Sequence, residues 1–465
     1  MSKENIVLTS EASAAAPGAK KPKAHRFITN TFTVLAAQAG RVLATLLLEI
    51  VYARLLGPAG RGQMSLCMMV VGFGVLVGGL GCDVPIMIWS ADKRLKPSEW
   101  LPSVLTCGLF GSLLAMALWS LLSFWWHPAF LRGITNQLAM LLVICIPLSV
   151  LGSFGLALLV GLERLKERSV LVVLSQVITM IAAVGLLISL RPRAELALLA
   201  FLISLVFSLG LIWFYLKEEF KFIPGNSLWF SNMRAALSLG ARGQLGMVAT
   251  YFNYRLDVFI VNYYLSTTEV GLYSLGVMVS EALWQVPNAA AIALFPRSAR
   301  DSEKEGREFT CLVIRQVIFL AGASGTAIAL LSPWVVPLAF GTKFAPSVAV
   351  IWWLLPGTVA LAGSKVMCAD LMARGMPEYA AIFACITLIV TVGADLFLIP
   401  RMGIQGAALA SSAAYLFNSF LVARVLRKKI EVTWRALYVP SMADFTPYRQ
   451  VWGRFVGWLR LATAS

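Results

Sequence analysis

Three basic residues lie inside long apolar stretches of the sequence, where a charged side chain is costly. Arg41 and Arg255 stand midway along two such stretches, and Lys365 stands towards one end of a third. A charge facing lipid at that depth costs about 2.5–3.5 kcal/mol, so each should face a watery cavity or a partner. The planar donor fork of arginine and the compact ammonium of lysine both suit phosphate. We therefore expect Arg41, Arg255 and Lys365 to bind a phosphate or diphosphate group.

Acidic residues at similar depth leave a second explanation open. Glu49, Asp257, Glu281 and Asp395 lie inside apolar stretches, and Asp370 lies near the end of one. The basic residues could pair with Glu49, Asp257 or Asp370 and serve only the fold, or stay paired until a substrate displaces the acid. Glu49, Asp257, Glu281 and Asp395 are also candidates for carrying a coupling proton or Na⁺, because acids at membrane depth often form ion pathways.

A polar face is expected on the eighth apolar stretch. Trp284, Gln285 and Asn288 follow Glu281 at helical spacings, which places the four side chains on one side of a helix. Aromatic rings stack on sugars and amides bond to sugar hydroxyls, so Trp284, Gln285 and Asn288 are candidates for contacting a glycan. Hydrogen bonds between neighbouring helices would use the same residues and remain the alternative.

Motifs of the common enzyme classes are absent from the sequence. His25 and His127 are the only histidines, and neither has a nucleophile or metal ligands near it in the sequence. No P-loop is present, so we do not expect direct use of ATP. The seven cysteines are odd in number and scattered over apolar stretches, which favours packing roles over disulfides or a metal site. We expect transport without catalytic residues, metal or cofactor, driven at most by a H⁺ or Na⁺ gradient.

The elements that position these residues are predicted to be transmembrane helices. Hydrophobic residues make up 59% of the chain and charged residues 13%, against about half and a quarter in soluble domains. Apolar stretches of about 18 residues or more, each long enough to span a bilayer, recur along the whole chain. The sequence predicts an all-α membrane protein with twelve spans, at 28–53, 62–86, 100–124, 137–160, 170–189, 194–216, 240–265, 271–295, 312–338, 347–371, 379–399 and 403–425.

The second half of the chain repeats the first. Gly62–Val70 reads GQMSLCMMV, and Gly271–Val279 reads GLYSLGVMV. The duplication predicts two pseudo-symmetric six-helix bundles around a central cavity, in which one bundle rocks against the other. The expected domains are a disordered tail (1–27), the first bundle (28–216), a linker (217–239), the second bundle (240–427) and a second tail (428–465).

The distribution of Lys and Arg predicts the orientation in the membrane. Basic residues concentrate in the first tail, in every second loop and in the second tail, which places both termini in the cytoplasm. The formal net charge of +16 is then mainly a topology signal, and nucleic acid is not an expected partner. In the second tail, Val451, Trp452, Phe455 and Trp458 can share one apolar side, so this segment is expected to lie on the membrane surface.

Four stretches resemble the bacterial polysaccharide-export flippases of the multidrug/oligosaccharidyl-lipid/polysaccharide exporter superfamily. Tyr52–Leu66, which reads YARLLGPAGRGQMSL, resembles their first loop. Arg255–Leu275 resembles their seventh helix and the following connector. Pro337–Gly357 resembles the stretch that joins helices nine and ten, and Ile399–Tyr415 resembles the start of helix twelve. The resemblance covers about residues 28 to 427.

The resemblance implies a V-shaped pair of six-helix bundles in the bacterial inner membrane. It further implies that the chain moves an undecaprenyl-diphosphate-linked oligosaccharide from the cytoplasmic to the periplasmic leaflet by alternating access. A cavity lined by basic residues is a feature of the family, which fits Arg41 and Arg255. The expected partners are the lipid-linked oligosaccharide, membrane lipids, and a polysaccharide polymerase with other export machinery.

Two other functions stay open at this point. An ion-coupled exporter of drug-like cations would use the same fold, but it should favour acids and aromatics over buried arginine. A membrane glycosyltransferase or polymerase would need a donor-binding motif and long outer loops, and the sequence shows neither.

Overall fold

The computed structural model of this chain describes residues 24–92, 94–126, 129–219, 229–298, 303–439 and 444, and every regular element there is helical. The first half contains α1 (Ala24–Gly78), α2 (Asp83–Ala91), α3 (Pro97–Ser120), α4 (Asn136–Gly161), α5 (Leu165–Ser189) and α6 (Ala194–Leu216). The second half contains α7 (Trp229–Tyr264), α8 (Thr267–Glu281), α9 (Gln285–Ser298), α10 (Glu303–Phe340), α11 (Ser347–Ala373), α12 (Glu378–Met402), α13 (Ile404–Lys429) and α14 (Trp434–Tyr438). The predicted all-α fold is confirmed, while the tail segments 1–23 and 451–458 lie outside the described residues.

Nine helices in the described ranges are long and apolar enough to cross a membrane. Helix α1 is counted once among them, although its 55 residues include two predicted spans. Helices α8 and α9 are shorter than a full span, with 15 and 14 residues, and α7 carries several charged and amide side chains. The chain is a multi-pass membrane protein, and the predicted number of twelve spans is not established by these nine helices.

The first two predicted spans join into one broken helix. Gly57 has φ 67° and ψ −175°, which interrupts α1, and Pro58 restarts the helix at once. The left-handed φ suits glycine, and proline suits the first turn of a helix because it has no amide hydrogen to satisfy. The predicted spans leave residues 54–61 as a loop between them, but the structure has a single break at Gly57, and residues from Pro58 onwards are helical.

Two further spans were predicted as continuous helices and are broken instead. The stretch 62–86 ends as a helix at Gly78 and resumes in the short helix α2 at Asp83. The stretch 271–295 divides into α8 and α9 at a 3₁₀ turn over Ala282–Trp284. These two stretches occupy corresponding places in the two halves, so both halves are interrupted in their second span.

The two halves touch through their backbones where the two repeated motifs, 62–70 and 271–279, begin. A methyl group on Gly62 would lie 1.9 Å from the carbonyl oxygen of Thr267, and one on Gly271 would lie 1.9 Å from that of Pro58. Only glycine permits this approach, as in other close helix pairs in membranes. Beside it, the hydroxyls of Ser65 and Ser274 lie 2.9 Å apart. We call this side of the molecule the connector end.

The halves also touch at the opposite side, which we call the linker end because α6 ends and α7 begins there. Gly81 and Gly240 approach so closely that a methyl group on Gly81 would lie 2.6 Å from the oxygen of Gly240. Gln244 donates a hydrogen bond to the carbonyl oxygen of Leu76 at 2.6 Å. The space between the halves is thus bounded by tight contacts at both ends.

Candidate functional site

A cavity of about 650 Å³, which we call the central cavity, lies between the two halves. Its lining residues come from α1, α4, α5 and α6 in the first half and from α7 and α8 in the second half. Its charged lining residues are Glu49, Arg61, Arg255 and Glu281. Two positive and two negative charges therefore face this space, and their formal charges balance.

Arg61 joins the halves at the connector end of the cavity. Its guanidinium group pairs with Glu49 at 2.9 Å and donates to the carbonyl oxygen of Gly271 at 2.8 Å and to Ser274 Oγ at 2.6 Å. The side chain is only 3% exposed. A buried arginine needs a carboxylate and further acceptors, and Arg61 has both. Glu49, predicted as an ion carrier, is thus the partner of an arginine that bridges the two halves.

Arg255 forms the second ion pair of the cavity. Its Nη1 and Nη2 atoms donate to Oε1 and Oε2 of Glu281, each at 2.9 Å. The two side chains are 32% and 17% exposed, so the pair faces the cavity rather than the core. The pairing explanation named Asp257 as a mate for the buried arginines, but the partner of Arg255 is Glu281. Two parallel hydrogen bonds of this kind are also the geometry in which arginine binds phosphate.

The part of the cavity lining that α4, α5 and α6 contribute is rich in hydroxyl groups, and we call it the hydroxyl wall. It comprises Ser149, Ser153, Ser175, Gln176, Thr179, Ser204 and Ser208, on α4, α5 and α6. Several of these hydroxyls donate to backbone carbonyl oxygens of their own helix, as Ser208 does to Ser204 at 2.7 Å. Their oxygen atoms can still accept hydrogen bonds. A ligand with many hydroxyl groups would find acceptors along this wall.

Lys365 faces a different space, inside the second half, and packs against Trp284. This pocket of about 250 Å³, which we call the second-half pocket, is lined by residues of α7, α11, α12 and α13. The Nζ atom of Lys365 lies 4.4 Å from the ring centroid of Trp284 and 5.3 Å from that of Tyr254. The structure thus places two of the predicted ligand-binding residues together, but apart from the cavity that Arg255 lines.

The remaining predicted residues are not placed on the central cavity. Arg41 lies half-buried on α1. The first described residue of α1 that lines the cavity is Thr45, one helical turn after Arg41. Gln285 and Asn288 are exposed at the start of α9. The turn at Ala282–Trp284 breaks the continuous helix on which their predicted face depended.

Asp257 and Asp395 form a separate acidic pair in the core of the second half. Asp257 is 2% exposed and accepts hydrogen bonds from Tyr273, from Ser411 at 3.2 Å and from the amide of Val258 at 2.8 Å. Asp395 is fully buried, and neither of its carboxylate oxygens has a hydrogen-bond partner among the described residues. A buried carboxyl group without a partner calls for a bound proton or cation.

Sequence reasoning missed Arg61 and the hydroxyl wall. Arg61 lies between the first two predicted spans, 28–53 and 62–86, and belongs to neither, yet it is helical and buried. The residue that corresponds to Arg61 in the second half is Val270, which is apolar. This apolar counterpart could have indicated that position 61 is buried between helices. The hydroxyl wall carried no comparable signal, because single Ser and Thr residues are common in membrane helices.

Two relatives resemble this chain over most of its length. A Haloferax volcanii protein named "Probable low-salt glycan biosynthesis flippase Agl15" is 23% identical over 83% of this chain and 80% of its own length. A Shigella flexneri protein named "Putative O-antigen transporter" is 25% identical over 80% of this chain and 90% of its own length.

Solved structures with the same fold include a lipid flippase and a multidrug transporter. The lipid II flippase MurJ, in an inward closed conformation, superposes with a TM-score of 0.70 at 15% identity, over 85% of this chain and 87% of its own. An outward-facing multidrug transporter of the MATE family superposes with a TM-score of 0.63 at 14% identity, over 87% and 95% of the two chains. At such low identity these likenesses show the fold alone. The sequence profile of the family described as polysaccharide biosynthesis protein matches residues 51–349, well over half of the chain, and the chain therefore belongs to that family.

Proposed function

We propose that this chain is a flippase that moves an undecaprenyl-diphosphate-linked oligosaccharide from the cytoplasmic to the periplasmic leaflet of the bacterial inner membrane. The family and the names of the two relatives support a role in moving glycans for polysaccharide synthesis. The observation that carries the proposal is the central cavity between the two halves, whose lining combines Arg255 and Arg61 with the hydroxyl wall. A polysaccharide polymerase would then act on the product.

In this proposal the diphosphate replaces Glu281 on the guanidinium group of Arg255. The two oxygens that Arg255 now binds are 2.9 Å away, and two phosphate oxygens can occupy the same positions. Glu281 would turn away from Arg255 into the central cavity, which it already lines. Arg41, on α1, is proposed to meet the diphosphate as the halves move.

The sugars would lie along the hydroxyl wall while the polyprenyl chain stays in lipid. A diphosphate with several sugars cannot cross hydrocarbon without polar partners, because each lost hydration bond must be replaced. Release at the connector end would require Gly62 and Gly271 to part and Arg61 to leave Gly271 and Ser274. The glycan contacts predicted for Trp284, Gln285 and Asn288 remain predictions.

We also propose that Asp395, with Asp257, carries the coupling ion. Asp395 has two oxygens without partners, and Asp257 acts on it electrostatically from α7. A proton or Na⁺ shared by the two carboxylates would relieve their repulsion. Asp257, on α7, accepts from Tyr273 on α8 and from Ser411 on α13, so ion binding at this pair would bias the packing of the second half. Glu49 and Glu281 remain secondary candidates, because each is already paired with an arginine.

The test of the main proposal is the sidedness of lipid-linked oligosaccharide in cells that lack the protein. We expect labelled glycan to accumulate on the cytoplasmic leaflet, and wild type but not Arg255→Gln to restore its exposure on the periplasmic leaflet. Arg94→Gln is the matched control, because the Arg94 side chain is 88% exposed in a loop. Normal sidedness in cells without the protein would contradict the proposal, and protection against toxic cations would then indicate a cation exporter.

The coupling ion is tested in proteoliposomes with imposed H⁺ or Na⁺ gradients. We expect transport by the wild type to respond to one of the two gradients, and transport by Asp395→Asn to respond to neither. A variant that keeps the full response would exclude Asp395 as the ion carrier, whatever its effect on the rate.

A further inference from the structure

The second-half pocket differs from the central cavity in its charge. Lys365 is its one charged lining residue among those the structure describes, and the others are apolar, hydroxyl or amide side chains. The central cavity, by contrast, is lined by two arginines and two glutamates. The smaller site therefore carries an excess positive charge, and the larger one does not.

The Lys365 ammonium group lies against two aromatic rings. In the described part of the chain it forms no hydrogen bond or ion pair, and only the faces of Trp284 and Tyr254 hold it. Glu281 attracts it, but Glu281 lines the central cavity and is not among the described residues that line this pocket. Ring faces compensate a cation only partly for lost water, so Lys365 retains the capacity to bind an anion.

The remaining lining suits a sugar. The amides of Asn253 and Asn418 each use one hydrogen, on the carbonyl oxygen of Ala384 at 2.7 Å and on Ser364 Oγ at 2.9 Å. Each amide nitrogen carries a second hydrogen that can be donated to a hydroxyl group.

The volume limits what the pocket can hold. At about 250 Å³ it has less than half the space of the central cavity, which suits one sugar residue rather than an oligosaccharide. Tyr254 and Arg255 are consecutive residues of α7, with Tyr254 lining the pocket and Arg255 the cavity. A glycan whose diphosphate lies on Arg255 could therefore place one of its sugars beside Lys365.

We propose that the second-half pocket is a second anion subsite, which binds a carboxylate carried by one sugar of the glycan. This inference rests on the proposed flippase function and adds a substrate class to it, an acidic oligosaccharide. The carboxylate would accept hydrogen bonds from the Lys365 ammonium group, while the amides of Asn253 and Asn418 hold the sugar hydroxyls. The diphosphate stays with Arg255, so the two anions of one substrate bind at two separate sites.

The test measures binding of three probes to the full chain in lipid nanodiscs. The probes are short polyprenyl-diphosphate disaccharides whose terminal sugar is glucose, glucuronic acid or methyl glucuronate, so that only the carboxylate differs. The variants are Lys365→Met, Lys365→Arg and Arg255→Gln, with Lys343→Met as the matched control because Lys343 is exposed. Thermal unfolding of each variant confirms that it is folded.

We expect the wild type to prefer the glucuronic acid probe by on the order of tenfold, the gain typical of a charge-assisted hydrogen bond. Lys365→Met should abolish that preference by weakening only the acidic probe, and Lys365→Arg should keep part of it. Arg255→Gln should weaken all three probes, and Lys343→Met none.

Three outcomes would overturn the inference, and they are distinguishable. Equal weakening of all probes by Lys365→Met would assign Lys365 to the diphosphate. Equal binding of all probes by the wild type, with no effect of Lys365→Met, would leave the pocket without this role while the flippase proposal stands. Failure of every probe to bind the wild type would remove the proposed function itself and the inference with it.

Discussion

The two halves of the chain repeat the small residues through which they touch, but they do not repeat the charged residues. Gly62 and Gly271 are counterparts in the repeat, as are Ser65 and Ser274, and each residue meets its own counterpart at the connector end. The charged residues have apolar counterparts at the same offset of 209 residues: Leu46 for Arg255, Leu48 for Asp257, Leu156 for Lys365, Val258 for Glu49 and Val270 for Arg61.

This difference separates the requirements of movement from those of binding. Two halves that rock about a common axis need the same close approach from both sides, so the glycines and serines at the axis are duplicated. A single asymmetric ligand needs one set of charges, and most of that set lies in the second half with Arg255, Glu281 and Lys365. The first half contributes the hydroxyl wall and the Glu49–Arg61 pair instead.

The largest effect is expected from breaking the shared contact at the axis. Gly271→Val would place side-chain atoms against the backbone of Pro58, where even a methyl group would lie 1.9 Å from the carbonyl oxygen. Backbone cannot move aside as a side chain can, so we expect the connector end to stay open and transport to fall below detection. In a cysteine-free background, a cysteine at the cavity residue Met68 should react faster with a water-soluble maleimide.

Gly185→Val is the matched control for this change, because nothing lies within 4 Å of the corresponding methyl position on α5. It should leave both transport and labelling at the wild-type level. Normal transport by Gly271→Val would show that the close contact of Gly62 and Gly271 is not needed for movement. The conclusion that the shared contacts serve movement would then be wrong.

The next effect concerns the charges that the halves do not share. Arg255→Gln should abolish transport and lower the free energy of unfolding by about 1–3 kcal/mol, because Glu281 is left without its partner. The double variant Arg255→Gln, Glu281→Gln should recover stability, since no charge is left unpaired. It should not recover transport, because the diphosphate has lost its arginine.

Thermal unfolding and leaflet sidedness measured on the same variants separate the two roles of Arg255. Recovery of both stability and transport in the double variant would mean that Arg255 serves only its ion pair. The asymmetry of charge between the halves would then be structural rather than functional.

The buried acids of the second half should respond in opposite directions. Asp395→Asn should keep or raise the unfolding temperature, because it removes a carboxyl group whose oxygens have no partner in the described part of the chain. Asp257→Asn should cost about 1 kcal/mol, because its carboxylate accepts from Tyr273, Ser411 and the Val258 amide. Equal losses in the two variants would show that Asp395 is held by contacts as Asp257 is.

The helical fold could be predicted from the sequence because a hydrocarbon environment leaves few alternatives. Backbone groups without water must bond within their own helix, so long apolar stretches predict helices directly. The same logic identified Arg255, Glu49 and Glu281, because a charge is costly at that depth. The sequence could not predict that Arg255 pairs with Glu281, since the two lie on different helices and their pairing depends on how these pack.

The helix breaks explain most of the remaining differences. Arg61 was assigned to a loop because the Gly57–Pro58 pair resembles a connector, whereas Pro58 in fact starts a helix. The predicted polar face of α8 assumed one uninterrupted helix, and the turn at Ala282–Trp284 leaves Gln285 and Asn288 exposed while Trp284 packs on Lys365. A break changes the direction of every later side chain, and its position depends on tertiary contacts.

The smallest effect is expected at the connector end, where the hydroxyls of Ser65 and Ser274 meet. These two residues allow the contact between the halves to be measured directly. Ser65 and Ser274 share one hydrogen bond at 2.9 Å, and each is the counterpart of the other. Ser65→Ala and Ser274→Ala should each cost up to about 1 kcal/mol, and the double variant should cost less than their sum by about 0.5 kcal/mol or more. Ser274→Ala should cost the more of the two, because Ser274 Oγ also accepts from Arg61. Additive losses in this cycle would mean that the two hydroxyls are not coupled, and equal single losses would mean that the Arg61 contact adds nothing to the axis.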